Sequence, residues 1–273
     1  MSDTQAPLGI IAGSRSLPLE LARQARAQGV RRLAAVAFEG ETDPQIAELV
    51  DEVCWLKVGQ LDRMIRFFVD RDIRRCVMAG QIAPRNLFDL RPDFRAMKLL
   101  FGLKEKNAHS IFGGIGEELA KDGVRLVEAT PWLRPLMPGV GFSLGRPLRS
   151  EEIADVAYGM GIAKEVSRLD IGQTVVVKGG TVLAVEGFEG TDACLERGGK
   201  LAGKDGGAVA VKVAKPSHDM RFDIPCLGVT TLECCARSGI GVLAFEPDKT
   251  LLLERPRVEA FLKTRPMALV TQA

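Results

Sequence analysis

A two-part α/β fold is what this sequence predicts: an N-terminal parallel sheet flanked by helices, followed by a smaller mixed α/β unit. Three observations carry that expectation. Short apolar runs alternate with amphipathic stretches as far as about Glu128, a Pro- and Gly-rich stretch without periodicity follows, and beyond it the spacing changes to a hairpin and further α/β alternation. A chain of 273 residues that is 46% hydrophobic has enough apolar material for two cores.

The elements follow in order. Leu8 to Gly13 is a short apolar run ending in glycine, and an amphipathic stretch from Leu17-Pro18 to Gln28 ends at Gly29, a suitable C-cap. Leu33 to Phe38 reads as a strand, Gln45 to Val50 as a short helix, Val53 to Val58 as a strand and Leu61 to Asp70 as a helix. Strands alternating with helices imply right-handed crossovers and a parallel sheet. A strand from Cys76 to Ala79 runs into Gly80-Gln81-Ile82-Ala83-Pro84, helical patterns lie around Phe94 to Leu103 and Ile111 to Lys121, and Val124 to Glu128 closes the first domain. The expected boundaries are 1–134 for that domain, 135–149 for a connection and 150–273 for the second domain. Ser150 before Glu151 and Glu152 is a helix start, because a hydroxyl and an acidic first turn satisfy open N–H groups and the helix dipole. Thr174 to Val177 and Val182 to Val185 form a hairpin across Lys178-Gly179-Gly180. After it come a helix from about Asp192, a β-rich run from Ala208 to Val213, a polar loop from Lys215 to Pro225, another helix, and the pair Gly241–Phe245 and Leu251–Glu254.

Composition excludes several functions. A net charge of +2 is not the basic field of a duplex-DNA binder, so nucleic acid is not expected as a partner. The six cysteines contain no C-x-x-C pair and are expected as free thiols in a reducing cytosol. With only His109 and His218, a His-rich zinc or di-iron centre is hard to assemble, which leaves an oxygen-ligated, magnesium-like ion as the expected metal. Neither a signal peptide nor a bilayer-length apolar run is present, so the expected location is cytoplasmic.

Four stretches could carry chemistry. In Gly13-Ser14-Arg15-Ser16-Leu17-Pro18 a strand ends and a helix begins, which offers open N–H groups and a positive dipole end to a phosphate, although an ordinary βα turn needs the same small residues. The stretch lacks GxGxxG, which disfavours a nicotinamide site even though Glu39 follows the second strand. Ala79-Gly80-Gln81 lies at another strand's carboxyl end, where open α/β sheets bind ligands, and by itself reads as a plain turn. In Glu186-Gly187-Phe188-Glu189-Gly190-Thr191-Asp192 the acidic groups could order the loop, bind a metal or hold a ribose hydroxyl, while Thr191 or Asp192 could equally be a helix cap. From Lys212 to Pro225, cations and carboxylates interleave. A Lys or Arg there could offset phosphate charge and a carboxylate could bind a metal or orient water, a reading that the tight Arg221-Phe222-Asp223-Ile224-Pro225 run favours over a solvated loop, with His218 more simply a surface residue.

Together these motifs resemble the LpxI (DUF1009) family of UDP-2,3-diacylglucosamine pyrophosphatases, from about Leu8 to about Phe261. The resemblance rests on Gly9-Ile10-Ile11-Ala12-Gly13 with Leu17-Pro18, Ala79-Gly80, Arg168-Leu169-Asp170-Ile171-Gly172-Gln173, Ala184-Val185-Glu186, Glu189-Gly190-Thr191-Asp192, Lys212 with Ala214-Lys215-Pro216, and Arg221 with Asp223-Ile224-Pro225. It implies a Rossmann-like N-terminal domain for UDP, a C-terminal domain of mixed α/β topology for the acylated sugar, and hydrolysis to UMP and 2,3-diacylglucosamine 1-phosphate (lipid X) in lipid A synthesis with Mg2+ or Mn2+. On that resemblance Asp223, Arg221 and Lys215 are the expected catalytic residues and Asp223 the expected metal ligand. Gly13, Ser14, Leu17, Pro18, Ala79, Gly80, Gln81, Asn107, Thr191 and Asp192 are the expected nucleotide contacts. It is compatible with a homodimer and with peripheral contact at the inner membrane. The chain departs from the family at Glu105-Lys106-Asn107-Ala108-His109-Ser110, where relatives usually carry Gly-Asp-Asp. A non-catalytic nucleotide or nucleotide-sugar binding protein derived from the family is the competing reading.

Overall fold

Five apolar runs of the N-terminal half become the strands of one parallel sheet. The computed structural model describes residues 5–82, 92–105, 107–215, 219–222 and 224–273. Two units divide the chain: Met1–Arg134 with Asp219–Asp223, and Pro135–His218 with Ile224–Ala273. In the first, β1 (Leu8–Ala12), α1 (Leu17–Ala27), β2 (Leu33–Phe38), α2 (Ile46–Leu49), β3 (Glu52–Leu56), α3 (Leu61–Val69) and β4 (Arg75–Ala79) alternate, followed by α4 (Phe94–Gly102), α5 (Ala108–Lys121), β5 (Arg125–Leu126) and α6 (Thr130–Leu133). The strand order is β3-β2-β1-β4-β5, parallel throughout. β1 and β2 are buried at every residue, which is why their sequences are continuously apolar instead of alternating. Helix α3 presents Leu61, Met64, Ile65 and Phe68 at helical spacing to the sheet. Gly9 on β1 admits the Phe68 ring, since a Cβ there would lie 2.7 Å from it.

The segment Asp219–Asp223 was expected within the second domain, and it groups with the first unit. Phe222 explains this: its ring stacks at 5.6 Å on Phe112 of α5 and packs on the first unit's core.

The second unit holds β6 (Ser143–Gly145), α7 (Ser150–Arg168), β7 (Thr174–Lys178), β8 (Thr181–Val185), α8 (Thr191–Leu201), β9 (Ala208–Lys212), β10 (Cys226–Leu227), α9 (Val229–Arg237), β11 (Ile240–Phe245), β12 (Leu251–Leu252), α10 (Arg255–Lys263) and β13 (Ala268–Thr271). Its six-stranded mixed sheet runs β6-β13-β11-β9-β7-β8, with β9, β11 and β13 mutually parallel. Alternation splits the sheet into two cores: Val175, Val177, Val209 and Val211 face α7, while Val176, Ala208 and Ala210 share a cluster with α8 and α9. Glycines let the helices approach closely, for a Cβ at Gly159 would sit 2.7 Å from Val211 and one at Gly198 2.5 Å from Val176. The hairpin turn at Gly179-Gly180 has positive φ at both residues, and its two N–H groups donate to the buried Asp155 carboxylate of α7 at 2.8 and 2.7 Å.

Two features differ from the sequence reading. The stretch 135–149 is not only a connection, because β6 pairs antiparallel with β13 at the sheet edge. The two strands read as a pair are separated: β11 joins the large sheet, while β12 pairs with β10. Helix α10 and strand β13 were not anticipated.

Glu152, in the first turn of α7, is almost fully buried. It accepts a bidentate pair from Arg146 at 2.8 and 2.7 Å, one bond from Arg149 Nη2 at 2.8 Å and one from the Arg149 backbone at 2.9 Å. The Arg146 hydrogen bonds, opposed by burial and reinforced by Arg149, hold its carboxyl at about 2 instead of 4.5. A depressed carboxylate contributes stability above its unfolded value and loses it as pH falls through the folded one. We expect Glu152→Gln to cost on the order of 2–3 kcal/mol at neutral pH, and the gap to wild type in denaturant titrations to close as pH is lowered from 4.5 toward 2.

Candidate functional site

Strand order reverses between β1 and β4, the place where an open α/β sheet forms its ligand crevice. Here the two loops expected to contact a nucleotide meet each other. Gly13 N–H donates to the Ala79 carbonyl at 2.8 Å, and both Ser14 N–H and Ser14 Oγ donate to the Gln81 carbonyl at 2.7 Å. A Cβ on Gly13 would stand 2.6 Å from the Gln81 oxygen, and one on Gly80 would overlap the Ser14 carbonyl and lie 3.1 Å from Pro18. Gly80 also has φ +86°. Leu17 and Pro18 open α1, whose N-cap Ser16 makes no side-chain capping bond. The sequence thus brings Gly13, Ser14, Pro18, Ala79, Gly80 and Gln81 together, but it does not show that Ser14's donors are taken up inside the protein.

Arg15 follows with φ +68°, and beside it the structure contains a feature that sequence reasoning missed. An open cleft of about 730 Å³ lies past the carboxyl ends of β1 and β2, lined by Arg15, residues 39–44 and Trp55 of β3. The 39–44 loop is fixed by buried Thr42, whose hydroxyl donates to the Ala12 carbonyl at 2.5 Å and accepts from Phe38 N–H at 2.8 Å. The available signal was a threonine four residues after a strand end, beside an acidic turn.

Asn107 is the N-cap of α5: its Oδ1 accepts from Ser110 N–H at 2.8 Å and its Nδ2 donates to Glu105 at 3.1 Å. Aspartate and asparagine are both strong N-cap residues, so the role asks for a side-chain oxygen and not for a charge. In the same unit Arg221 grips Asp219 through Nε at 2.9 Å and Nη2 at 2.5 Å, and this pairing raises its already high pKa against the effect of burial. Asp223 and His218 lie outside the described residues.

In the second unit, polar groups gather at the carboxyl end of β9. Thr174 stands opposite Lys212, and the Thr174 and Thr191 hydroxyls approach to 3.4 Å. Thr191 donates to Glu186 at 3.2 Å, while the other Glu186 carboxylate oxygen is buried with no hydrogen-bond partner. Glu186, Lys212 and Glu246 are 6%, 9% and 5% exposed, unusual for charged residues. Glu246 accepts from Ala214 N–H at 2.9 Å, and Lys215 pairs with Asp170 at 2.9 Å. Gly190, with φ +84°, is the N-cap of α8, so Thr191 and Asp192 form its first turn and neither is the cap. Glu189 is tied to Arg197, whose hydrogen bond lowers its pKa. Burial pushes the Cys194 thiol up to about 12, and Cys76, Cys234 and Cys235 upward as well, which leaves these sulfurs protonated and unreactive.

The sequence matches the family model described as LpxI N-terminal domain over residues 7–136 and the one described as LpxI C-terminal domain over residues 140–270. A Caulobacter vibrioides protein named UDP-2,3-diacylglucosamine pyrophosphatase LpxI is 30% identical over 263 residues, covering 93% of this chain and 92% of that protein. Among solved structures, the biotin carboxylase domain of a thermophilic 2-oxoglutarate carboxylase (12% identity, TM-score 0.28) and the biotin carboxylase subunit of pyruvate carboxylase (14%, 0.27) overlap 62% and 66% of this chain. The chain spans about a third of each of them, 34% and 35%, a likeness too loose to carry an argument.

Replacing Gly80 with alanine forces a Cβ into the Ser14 carbonyl at a backbone angle that L residues avoid. We expect Gly80→Ala to lower stability by about 2–4 kcal/mol, read as a drop in thermal midpoint.

Proposed function

The chain belongs to the LpxI family, and on that premise we propose that it hydrolyses the pyrophosphate of UDP-2,3-diacylglucosamine to UMP and lipid X, a step of lipid A synthesis. The observation that carries this reading is the 30% identity, over 93% of the chain, to a protein of that name. The match of both family models across the chain supports it.

In this reading water attacks one phosphorus, the bond from that phosphorus to the bridging oxygen breaks, and the second phosphate leaves with that oxygen. Asp223 orients the water or takes its proton. Lys215 and Arg221 offset the charge developing on the phosphate oxygens, exchanging Asp170 and Asp219 for the substrate. Thr191 and Asp192, in the first turn of α8, supply N–H and hydroxyl donors. Among the described residues no three His, Cys, Asp or Glu side chains form a set that could hold a metal ion, and Asp223 lies outside them. Magnesium or manganese would supply further positive charge beside the phosphate oxygens, with Asp223 as the residue to hold it.

We expect wild-type protein with Mg2+ or Mn2+ to release UMP and lipid X, and Asp223→Ala to lower the rate at least about 100-fold. Wild-type protein that binds UMP without turnover would instead leave a nucleotide-binding protein of the same family.

Among the described residues no helix is long and apolar enough to cross a membrane. A diacylated substrate nonetheless resides in a bilayer, and α4 carries a face suited to one. Phe94 and Phe101 are 79% and 82% exposed and share a helical stripe with Met97, beside Lys98. We propose cytoplasmic protein that rests this face on anionic lipid. In vesicle flotation, the double change Phe94→Glu, Phe101→Glu is expected to reduce the bound fraction at least about fivefold relative to wild type.

A further inference from the structure

The segment Asp219–Asp223 lies between two stretches of the second unit yet belongs to the first, and the residue that seats it there, Phe222, has no part in the chemistry proposed above. We propose that Phe222 is a positioning residue for hydrolysis: its seat on α5 holds the turn that carries Asp223 to the first unit and so limits the positions open to that carboxylate. This inference rests on the pyrophosphatase reading, in which Asp223 orients water or takes its proton.

Four observations lead there. First, the turn is built by its own residues: Phe222 N–H donates to the Asp219 carbonyl at 3.1 Å, and Asp219 Oδ1 accepts from Arg221 N–H at 3.1 Å. A bond from the fourth residue to the first, with a side chain bonded to the backbone two residues on, gives a tight turn with a defined exit. Second, the Phe222 ring stands 5.6 Å from that of Phe112 at 40°, and it packs on the core cluster that contains Leu119 and Leu126. Third, Gly116 lies one helical turn beyond Phe112 on the same face of α5, and a Cβ there would lie 3.3 Å from Leu126 and 4.0 Å from Arg221 Nη1, so the guanidinium passes over a position without a side chain. Fourth, the Asp219 hydrogen bonds and the charge of Glu128, just past β5, hold the Arg221 pKa above its usual value against burial.

The turn by itself selects no place on the protein. Among the described residues of the segment, Phe222 is the one packed on that core, so its ring decides where the turn sits. Arg221 can exchange the Asp219 carboxylate for a phosphate while Asp219 keeps its bonds to the backbone of the turn, and the cation is then released without releasing the segment. Rigid seating matters because a carboxylate that activates water must stand within hydrogen-bond reach of it, and a displacement of about 1 Å costs on the order of 100-fold in rate.

The test uses the full chain with Mg2+ and UDP-2,3-diacylglucosamine. The Phe222 side chain is only half-buried, so Phe222→Ala should fold, as thermal midpoints will check. It should lower kcat about 100-fold and change KM less than about threefold. Phe222→Tyr, which keeps the ring, should recover most of the rate. Phe112→Ala should lower kcat in the same way, and the double variant no further than either single one. In the Asp223→Ala background, Phe222→Ala should cost nothing more, because the residue acts through that carboxylate. Hydrogen exchange reads the seat without the reaction: the amides of Arg221 and Phe222 should exchange faster in Phe222→Ala than in wild type. Folded Phe222→Ala that keeps its kcat, or that loses the same factor with and without Asp223, overturns the positioning role while the pyrophosphatase reading stands. Exchange unchanged in Phe222→Ala overturns the seat itself. Wild-type protein that does not hydrolyse the lipid substrate overturns the pyrophosphatase reading and this role with it.

Discussion

The arrangement of the first unit depends on one close approach: the backbone of Gly13-Ser14 against that of Gly80-Gln81, at the point where the sheet changes winding direction. Neither glycine has room for a Cβ, and three hydrogen bonds join the two turns. Pro18, at the start of α1, lies beside Gly80, and the next residue after the joined pair, Arg15, is left-handed with φ +68°. The closeness of the two turns is thus set by backbone contact and not by side-chain size.

Electrostatics in both units follow a common pattern in which loop cations are held by carboxylates close in space. Lys215 with Asp170 and Arg221 with Asp219 are both partly exposed pairs, which water weakens. The Glu152 cluster differs, because its carboxylate is buried and bound four times over, and it fixes the entry into α7.

Much of the framework was legible in the sequence. Continuous apolar runs such as Leu33–Phe38 can be satisfied only by burial on both faces, and the Gly179-Gly180 pair between two β-rich runs admits little but a tight hairpin. The edge strand β6 was not legible, since three residues of Ser143–Gly145 gain strand character only from pairing with β13, more than a hundred positions away. Nor was the placement of Asp219–Asp223, which follows from the stacking of Phe222 on Phe112. Of the residues singled out for chemistry, the glycine turns lie at the ends of β1 and β4 and Thr191 lies at the start of α8, as the pattern indicated, Asn107 caps α5, and Trp55 drew no attention among the apolar residues of its strand.

By itself, then, the sequence determined the α/β class, the succession of the first strands and helices along the chain and the family, because these depend on periodicity, on short-range turn chemistry and on a series of local motifs. Only the tertiary structure decided which donors remain open and which are taken up within the chain, where the cleft lies, and which carboxylate holds each cation. These are contacts between segments distant in sequence, as in Ser14 with Gln81 or Lys215 with Asp170, and no local pattern encodes them.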